Sequence, residues 1–207
     1  QRPGLADWVQ EGAVLGLQGG TERVRGIVSD MQESGADISA VWLQDWTGKR
    51  VTDFGDRLWW TWQLDDQTYP GWKQMVDDFH KQDIKVLTYV NIMVVDSADK
   101  SGKPVTNLYR QAEARGFLVK DQSGKPYLAD QNGYDAALVD LTNPKARDWY
   151  ADVIADDVLG IGVDGFMADF GEALPMDAVL HKGQPLQMHN RWPQLWSQTV
   201  QQGCERA

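Results

Sequence analysis

ISAVWLQD, spanning Ile38–Asp45, contains the apolar run Ile38–Leu43, which is followed by an amide and a carboxylate. Two later runs, Ile84–Val90 and Val163–Asp169, share this apolar character, and a shorter run covers Ala13–Leu17. Short segments that are apolar almost throughout are typical of strands buried on both faces of a sheet. The sequence therefore predicts four principal strands.

Helices are predicted between these strands and after the last one. Their expected limits are Thr21–Gly35, Trp72–Lys81, Asn107–Arg115, a Pro-initiated helix from Thr142 to Leu159, and Asn190–Gln202. A long loop through Pro104 precedes the third helix, and Ala137–Leu141 reads as a further strand-like segment. Strands that alternate with helices indicate a parallel sheet covered by helices.

Two α/β architectures satisfy this alternation: a (β/α)8 barrel and a doubly wound sheet. Polar residues at the strand ends, Gln44-Asp45, Asn91 and Asp169, are followed by long loops, which is where a barrel places its active-site rim. No G-x-G-x-x-G or P-loop pattern follows any of the strands. We therefore predict a (β/α)8 TIM barrel, with about the first four β/α units present in this chain.

Composition narrows the range of partners. The chain has 207 residues, 42% of them hydrophobic, as expected of a globular domain or a large piece of one. Its formal net charge of −10 argues against nucleic-acid binding, which draws on clustered Lys and Arg. No apolar run approaches the ~18 residues of a membrane span. We expect a small-molecule partner, with no nucleic acid and no membrane.

Asp169 is the foremost candidate for catalysis. It ends the Val163–Asp169 run and lies in a stretch with two other acids, Asp164 and Glu172. A carboxylate at a strand end can attack an anomeric carbon and hold a covalent glycosyl intermediate. It can equally cap the turn that follows, and spacing alone leaves both interpretations open.

Two further groups could bind a polar ligand. Gln44 and Asp45 offer an amide and a carboxylate of the kind that holds sugar hydroxyls, although they could simply begin a loop. Arg57 and Trp60 follow in the same loop, and a guanidinium with an indole N–H can bind an oxyanion such as a sulfonate. Arg57 could instead pair with Asp53 or Asp56.

Other chemistries find little support. No histidine pair with a carboxylate has metal-ligand spacing, and Cys204 is the only cysteine, so we expect no metal and no cofactor. No serine is placed for nucleophilic catalysis of the Ser-His-Asp kind. From the residues alone, the prediction is an α/β barrel with an acidic active site.

Several motifs resemble glycoside hydrolase family 31. They are GLQGG at Gly16–Gly20, QDWTG at Gln44–Gly48, FGDRLWW at Phe54–Trp60, DLTNP at Asp140–Pro144, DGFMADFGE at Asp164–Glu172 and MHN at Met188–Asn190. The second and third motifs look specifically like the sulfoquinovosidase group of that family, which cleaves α-glycosides of sulfoquinovose, a sulfonated sugar.

The resemblance implies roles for individual residues. Asp169 would be the nucleophile of a retaining mechanism, Arg57 and Trp60 would hold the sulfonate, and Gln44 would join them. Asp45 and Glu172 would line the sugar site. An α-glucosidase or α-xylosidase of the same family is the first alternative, and a non-catalytic sugar-binding or assembly fragment is the second.

The resemblance also implies missing parts. In the family, the general acid/base is a second aspartate on a later strand, and a β-sandwich precedes the barrel. We therefore expect residues 1–207 to form a partial catalytic barrel domain that is incomplete as a catalyst. Unpaired sheet edges predict either a piece of a larger polypeptide or a self-associating homo-oligomer. The lone cysteine and the resemblance together predict a cytoplasmic location.

Overall fold

The computed structural model describes residues 4–100 and 106–207, so the predicted loop around Pro104 lies outside the described residues. In chain order the elements are α1 (Trp8–Glu11), β1 (Ala13–Leu17), α2 (Thr21–Glu33), β2 (Ile38–Leu43), β3 (Lys49–Thr52), β4 (Gly55–Leu58), α3 (Trp72–His80), β5 (Lys85–Asn91), β6 (Met93–Val94), α4 (Leu108–Arg115), β7 (Leu128–Asp130), β8 (Asp135–Leu138), α5 (Pro144–Asp152), β9 (Gly165–Asp169), α6 (Pro185–Met188) and α7 (Trp192–Arg206).

The main sheet has four parallel strands in the order β1-β2-β5-β9. Strands that are adjacent in this sheet are also consecutive along the chain when only the four predicted principal strands are counted. Helices α2 and α3 lie in the first two crossovers. The prediction of an α/β fold with a parallel sheet is therefore confirmed. β9 begins at Gly165, two residues later than the apolar run suggested.

Burial follows the position of each strand in this sheet. The central strands are packed on both sides, with Val41 and Val86 fully buried. The outer strands β1 and β9 each pair with one neighbour among the described residues, and Val14 and Met167 on them are both 45% exposed. The sheet thus has a closed centre and two open edges.

The predicted helices form where capping residues allow them. The Asn107 side chain accepts a hydrogen bond from the Arg110 N–H to begin α4, and Gly116 ends that helix in the left-handed conformation. Asn143 caps α5 in the same way, with Pro at the first position. The predicted helix to Leu159 has the right extent, but its last part, Val153–Leu159, widens into a π-helix.

Two small antiparallel sheets lie beside the main one and were not predicted. β3 and β4 form a hairpin, and β6, β8 and β7 form a three-stranded sheet. The predicted strand at Ala137–Leu141 belongs to this second sheet as β8, and it runs from Asp135 to Leu138. Within the described residues, no helix has both the length and the apolar character needed to cross a membrane.

Candidate active site

The carboxyl ends of the four parallel strands bring polar side chains together. Gln18 directly follows β1 and Gln44 directly follows β2, and Gln18 Nε2 donates a hydrogen bond to Gln44 Oε1 at 2.8 Å. Asn91 and Asp169 end β5 and β9 and are partners in the sheet register. Because parallel strands end at the same edge of a sheet, these four residues share one rim.

Asp169 is held by a short chain of hydrogen bonds. Tyr89 Oη donates to Asp169 Oδ2 at 2.9 Å, and Asn91 Nδ2 donates to Tyr89 Oη at 3.2 Å. Burial raises the pKa of the Tyr89 phenol, and the neighbouring Asp169 carboxylate raises it further, against the opposing effect of Asn91. The phenol therefore stays protonated and remains a donor to Asp169 at neutral pH.

The residue after Asp169 has an unusual backbone conformation. Phe170 has φ of 56°, in the left-handed region that residues other than glycine seldom adopt. Its ring lies 5.5 Å from that of Trp60, measured between ring centroids. Such strain is concentrated at functional sites in proteins and needs surrounding structure to hold it. Here the aromatic packing holds the turn that follows Asp169.

The β3–β4 hairpin supplies one wall of a pocket beside Asp169. Arg57, on β4, is partly exposed, and its Nη1 donates to the backbone oxygen of Asp56 at 3.1 Å. Trp60 is 6% exposed, and its buried indole Nε1 has no hydrogen-bond partner in the described part of the chain. A buried N–H without a partner is costly, and the Trp60 residue also lines the pocket.

The pocket has a volume of about 360 Å³. It is lined by Gln18, Gln44, Lys49, Asp56, Arg57, Leu58, Trp60, Tyr89, Tyr134, Asp169 and Phe170. The site therefore combines one carboxylate at a strand end with a wall that carries Lys49, Asp56, Arg57 and aromatic rings, an arrangement suited to a small polar ligand.

Four of the six predicted site residues, Gln44, Arg57, Trp60 and Asp169, come together in this pocket. Asp45 and Glu172 are not among its lining residues. The Glu172 residue is exposed. Which roles all six take stays a prediction.

Asp45 lies fully buried beneath the rim. Its Oδ2 accepts a hydrogen bond from the Gly19 N–H at 2.9 Å, and its Oδ1 accepts one from the Tyr69 hydroxyl. Lys49 Nζ lies 3.5 Å from Asp45 Oδ2. Asp45 thus fixes the loop after β1 and a pocket-lining lysine.

Several lining residues escaped the sequence analysis. Gln18 follows a strand just as Gln44 does, and the rule that singled out Gln44 could have found it. Tyr89 lies two residues before Asn91, and side chains two residues apart share a face of a strand. Tyr134 has no local sequence pattern to mark it, because it reaches the pocket from the turn between β7 and β8.

A metal site has no support in this region. Within residues 4–100 and 106–207, no group of three or more His, Cys, Asp or Glu side chains is arranged to hold a metal ion.

Comparison with known protein families identifies the family to which this fold belongs. The sequence model of the glycosyl hydrolases family 31 TIM-barrel domain matches residues 13–207. The chain belongs to glycosyl hydrolase family 31. The family inferred from the motifs is therefore confirmed, together with the α/β class of its TIM-barrel domain.

Family 31 members similar to this chain include two sulfoquinovosidases. The one from Escherichia coli (strain K12) is 36% identical over 206 residues, which are 99% of this chain and 29% of the relative. The one from Agrobacterium fabrum is 38% identical over 208 residues, 99% of this chain and 30% of the relative. The chain thus spans about a third of the length of these curated family 31 relatives.

A solved family 31 structure gives the same match in three dimensions. It is a sulfoquinovosidase from E. rectale in complex with the aza-sugar inhibitor IFGSQ, and it superposes with a TM-score of 0.89 at 37% sequence identity. The match covers 99% of this chain and 30% of that one. The resemblance to the sulfoquinovosidase group is confirmed.

Proposed function

We propose that this chain carries the nucleophile and the sugar-binding wall of a retaining glycoside hydrolase that cleaves α-glycosides of sulfoquinovose. The observation that carries the proposal is the pocket of about 360 Å³ in which Asp169 shares a lining with Arg57 and Trp60. The similarity to sulfoquinovosidases supports the same substrate class.

The proposed reaction has two steps. In the first, a carboxylate oxygen of Asp169 attacks the anomeric carbon, the bond to the leaving oxygen breaks, and a general acid protonates that oxygen. In the second step, the former general acid acts as a base and removes a proton from water. This water attacks the glycosyl-aspartate ester and releases the sugar with retained configuration. The hydrogen bond from Tyr89 orients Asp169 for attack.

The anionic end of the sugar is proposed to lie against the hairpin wall. The Arg57 guanidinium supplies a charge-assisted contact to a sulfonate oxygen. The buried Trp60 Nε1, which lacks a partner among the described residues, supplies a second donor. Gln44, whose Oε1 accepts a hydrogen bond from Gln18 Nε2 at 2.8 Å, is the third residue proposed to bind the sulfonate. A neutral C6 hydroxyl would make little use of the Arg57 charge.

The proposal extends to the rest of the enzyme. A retaining mechanism needs two carboxyl groups about 5 Å apart. The resemblance supports a proton donor on a later strand of the barrel, outside this chain. We propose that residues 1–207 are a partial (β/α)8 domain, with the remaining strands pairing on the open edges of β1 and β9, and that the enzyme acts on a small glycoside in the cytoplasm.

The test compares two chromogenic substrates, an α-sulfoquinovoside and the matching α-glucoside, with the full-length gene product. Wild-type protein should cleave the sulfonated substrate in strong preference. Arg57→Ala should lower the ratio of the two kcat/KM values by roughly 30-fold or more, as loss of a charge-assisted contact of about 2–3 kcal/mol implies. A preference for the glucoside in the wild type would overturn the substrate assignment.

Two further measurements separate the alternatives. Asp169→Ala should abolish turnover while leaving sulfoquinovose binding measurable by calorimetry. The isolated 207-residue chain, assayed in parallel, should show no turnover if the proton donor lies elsewhere. Binding without turnover by the full-length protein would instead favour a non-catalytic sugar-binding role.

A further inference from the structure

Arg50 is the direct cross-strand partner of Arg57. The antiparallel register of β3 and β4 pairs Arg50 with Arg57, so both side chains leave the same face of the hairpin. Like charges in directly opposite positions destabilise a strand pair. Sequences usually avoid such a conflict, and where it persists a functional reason is expected.

The Arg50 guanidinium lies between aromatic rings and has few hydrogen-bond partners. Its guanidinium carbon lies 3.5 Å from the Trp59 ring centroid and 4.1 Å from that of Tyr134. Its Nε and Nη2 atoms are buried without hydrogen-bond partners in the described part of the chain. Aromatic faces attract a cation but accept no charge-assisted hydrogen bond. The Asp99 carboxylate also favours the cationic form of Arg50, but it makes no ion pair with Arg50 in the described part of the chain, so the positive charge of Arg50 is only partly compensated.

Tyr134 connects Arg50 to the sugar site. Its ring lines the pocket beside Asp169 and meets the Trp60 ring edge-on, with 5.5 Å between centroids. Burial raises the pKa of Tyr134 to about 12, with Arg50 and Arg57 acting in the opposite direction. Both guanidinium charges therefore act on this one wall of the pocket.

The turn that carries Tyr134 docks on the hairpin. A Cβ atom on Gly133, which has φ of 106°, would lie 2.8 Å from Thr52 Cβ, so only glycine permits this approach. The Arg50 guanidinium contacts both segments: it lies over the ring of Trp59, just after β4, and over the ring of Tyr134. Arg50 thus joins two segments that both line the pocket.

We propose that Arg50 is a positioning residue that sets selectivity for the anionic end of the substrate, acting through Tyr134 and Arg57; this inference rests on the proposed function. Its planar guanidinium holds Tyr134 against Trp60. Its charge adds to that of Arg57 at Tyr134, so both arginines favour an anionic sugar against this wall. A neutral sugar gains nothing from this charge.

The test uses the full-length protein with Arg50→Met, which keeps an apolar stem between the two rings, and Arg50→Lys, which keeps the charge. Arg110→Met is the matched control, because Arg110 also lies over a tyrosine, 5.4 Å from the Tyr109 ring, but pairs with Asp96 and Glu113. For each variant, kcat and KM are measured on the α-sulfoquinovoside and the α-glucoside, together with the thermal midpoint.

Arg50→Met should lower the preference for the sulfonated substrate by at least 10-fold, chiefly through KM, whereas Arg50→Lys should lower it by about 3-fold. Arg110→Met should leave the preference unchanged. An equal loss on both substrates in Arg50→Met would reduce Arg50 to a packing role and overturn the inference. Should Arg50→Met fail to fold, an unaltered preference in folded Arg50→Lys would overturn it.

The failure of the inference can be told apart from failure of the proposed function. If the wild type does not prefer the sulfonated substrate, the proposed function fails and the inference with it. If the wild type has that preference and Arg50→Met retains it, the inference alone fails. Addition of salt gives a second readout, because screening should weaken sulfoquinovose binding more in the wild type than in Arg50→Met.

Discussion

The hydroxyl of Tyr89 donates a hydrogen bond to Asp169 across two paired strands, with 2.9 Å between Tyr89 Oη and Asp169 Oδ2. Asn91 Nδ2 donates to the same hydroxyl oxygen, so the single phenolic proton is left for Asp169. Asn91 is itself fixed, because its Oδ1 accepts from the Met93 N–H at 2.8 Å. Asp169 is therefore positioned by a chain that leads back into the backbone.

Replacing Tyr89 by Phe should remove this orientation while preserving the ring. A hydrogen bond to a charged group contributes about 1.5–3 kcal/mol, so we expect kcat/KM on the preferred glycoside to fall about 10-fold or more. Buried Asn91 loses an acceptor, so the free energy of unfolding should drop by about 1–2 kcal/mol. Steady-state kinetics and urea unfolding of the full-length protein measure both quantities.

Tyr127→Phe is the control for this change. Tyr127 also donates to a carboxylate, Asp177, at 3.0 Å, but it is not among the residues that line the pocket beside Asp169. The kcat/KM of Tyr127→Phe should match that of the wild type. Unchanged kcat/KM in Tyr89→Phe would show that Asp169 does not depend on the phenol.

The main sheet could be predicted because burial on both faces leaves a plain apolar run. Ile38–Leu43 is buried or half-buried along its whole length in the structure, and it was predicted with its bounds. The hairpin of β3 and β4 could not be found in this way, because Lys49–Thr52 alternates between exposed and half-buried positions. Its stability comes from docking on the rest of the chain, which no local pattern reports.

The site residues also differ in whether local sequence could predict them. Residues at strand ends, such as Gln44 and Asp169, follow from the strand prediction itself. Residue chemistry alone left the role of Arg57 and Trp60 open, and the resemblance assigned them to the sulfonate. Tyr134 was missed because the nearest predicted site residue, Asp169, is 35 residues away, and its approach depends on the close packing of Gly133 against Thr52.

Asp164, at the opposite end of β9 from the site, should give an acid-sensitive contribution to stability. Its Oδ2 accepts from the Val86 N–H at 2.8 Å and lies 2.7 Å from His80 Nε2. Burial raises the pKa of Asp164, but these hydrogen bonds and the charges of His80 and Lys85 outweigh it and leave the pKa below its ordinary value.

A carboxyl group whose pKa is lowered by folding stabilises the protein above its unfolded pKa of about 3.9, and the effect is lost as the pH falls through the folded value. The gap in unfolding free energy between wild type and Asp164→Asn should therefore be present at about pH 5 and close below about pH 4. Urea unfolding across that range measures it. Asp7→Asn is the control, because Asp7 makes no capping hydrogen bond at α1. A gap that stayed constant to pH 3 would contradict the argument.

Gly20 controls both the start of α2 and the loop that holds Gln18. It has φ of 90°, and a Cβ atom there would lie 2.4 Å from the backbone oxygen of Thr68. Gly35, at the other end of the same helix, has φ of 82° but no atom within 4 Å of its Cβ position. Alanine is strained at either position because φ is positive, but Gly20, with ψ of 173°, lies in a region that essentially only glycine adopts, and it alone adds a collision with backbone.

Gly35→Ala should therefore cost about 1–2 kcal/mol of unfolding free energy and leave kcat/KM unaltered. Gly20→Ala should cost more, about 3 kcal/mol or above, and should also lower kcat/KM, because the displaced loop carries Gln18 and the Gly19 N–H that binds Asp45. Equal stability losses in the two variants would contradict the argument, because they would mean that the loop relaxes away from Thr68.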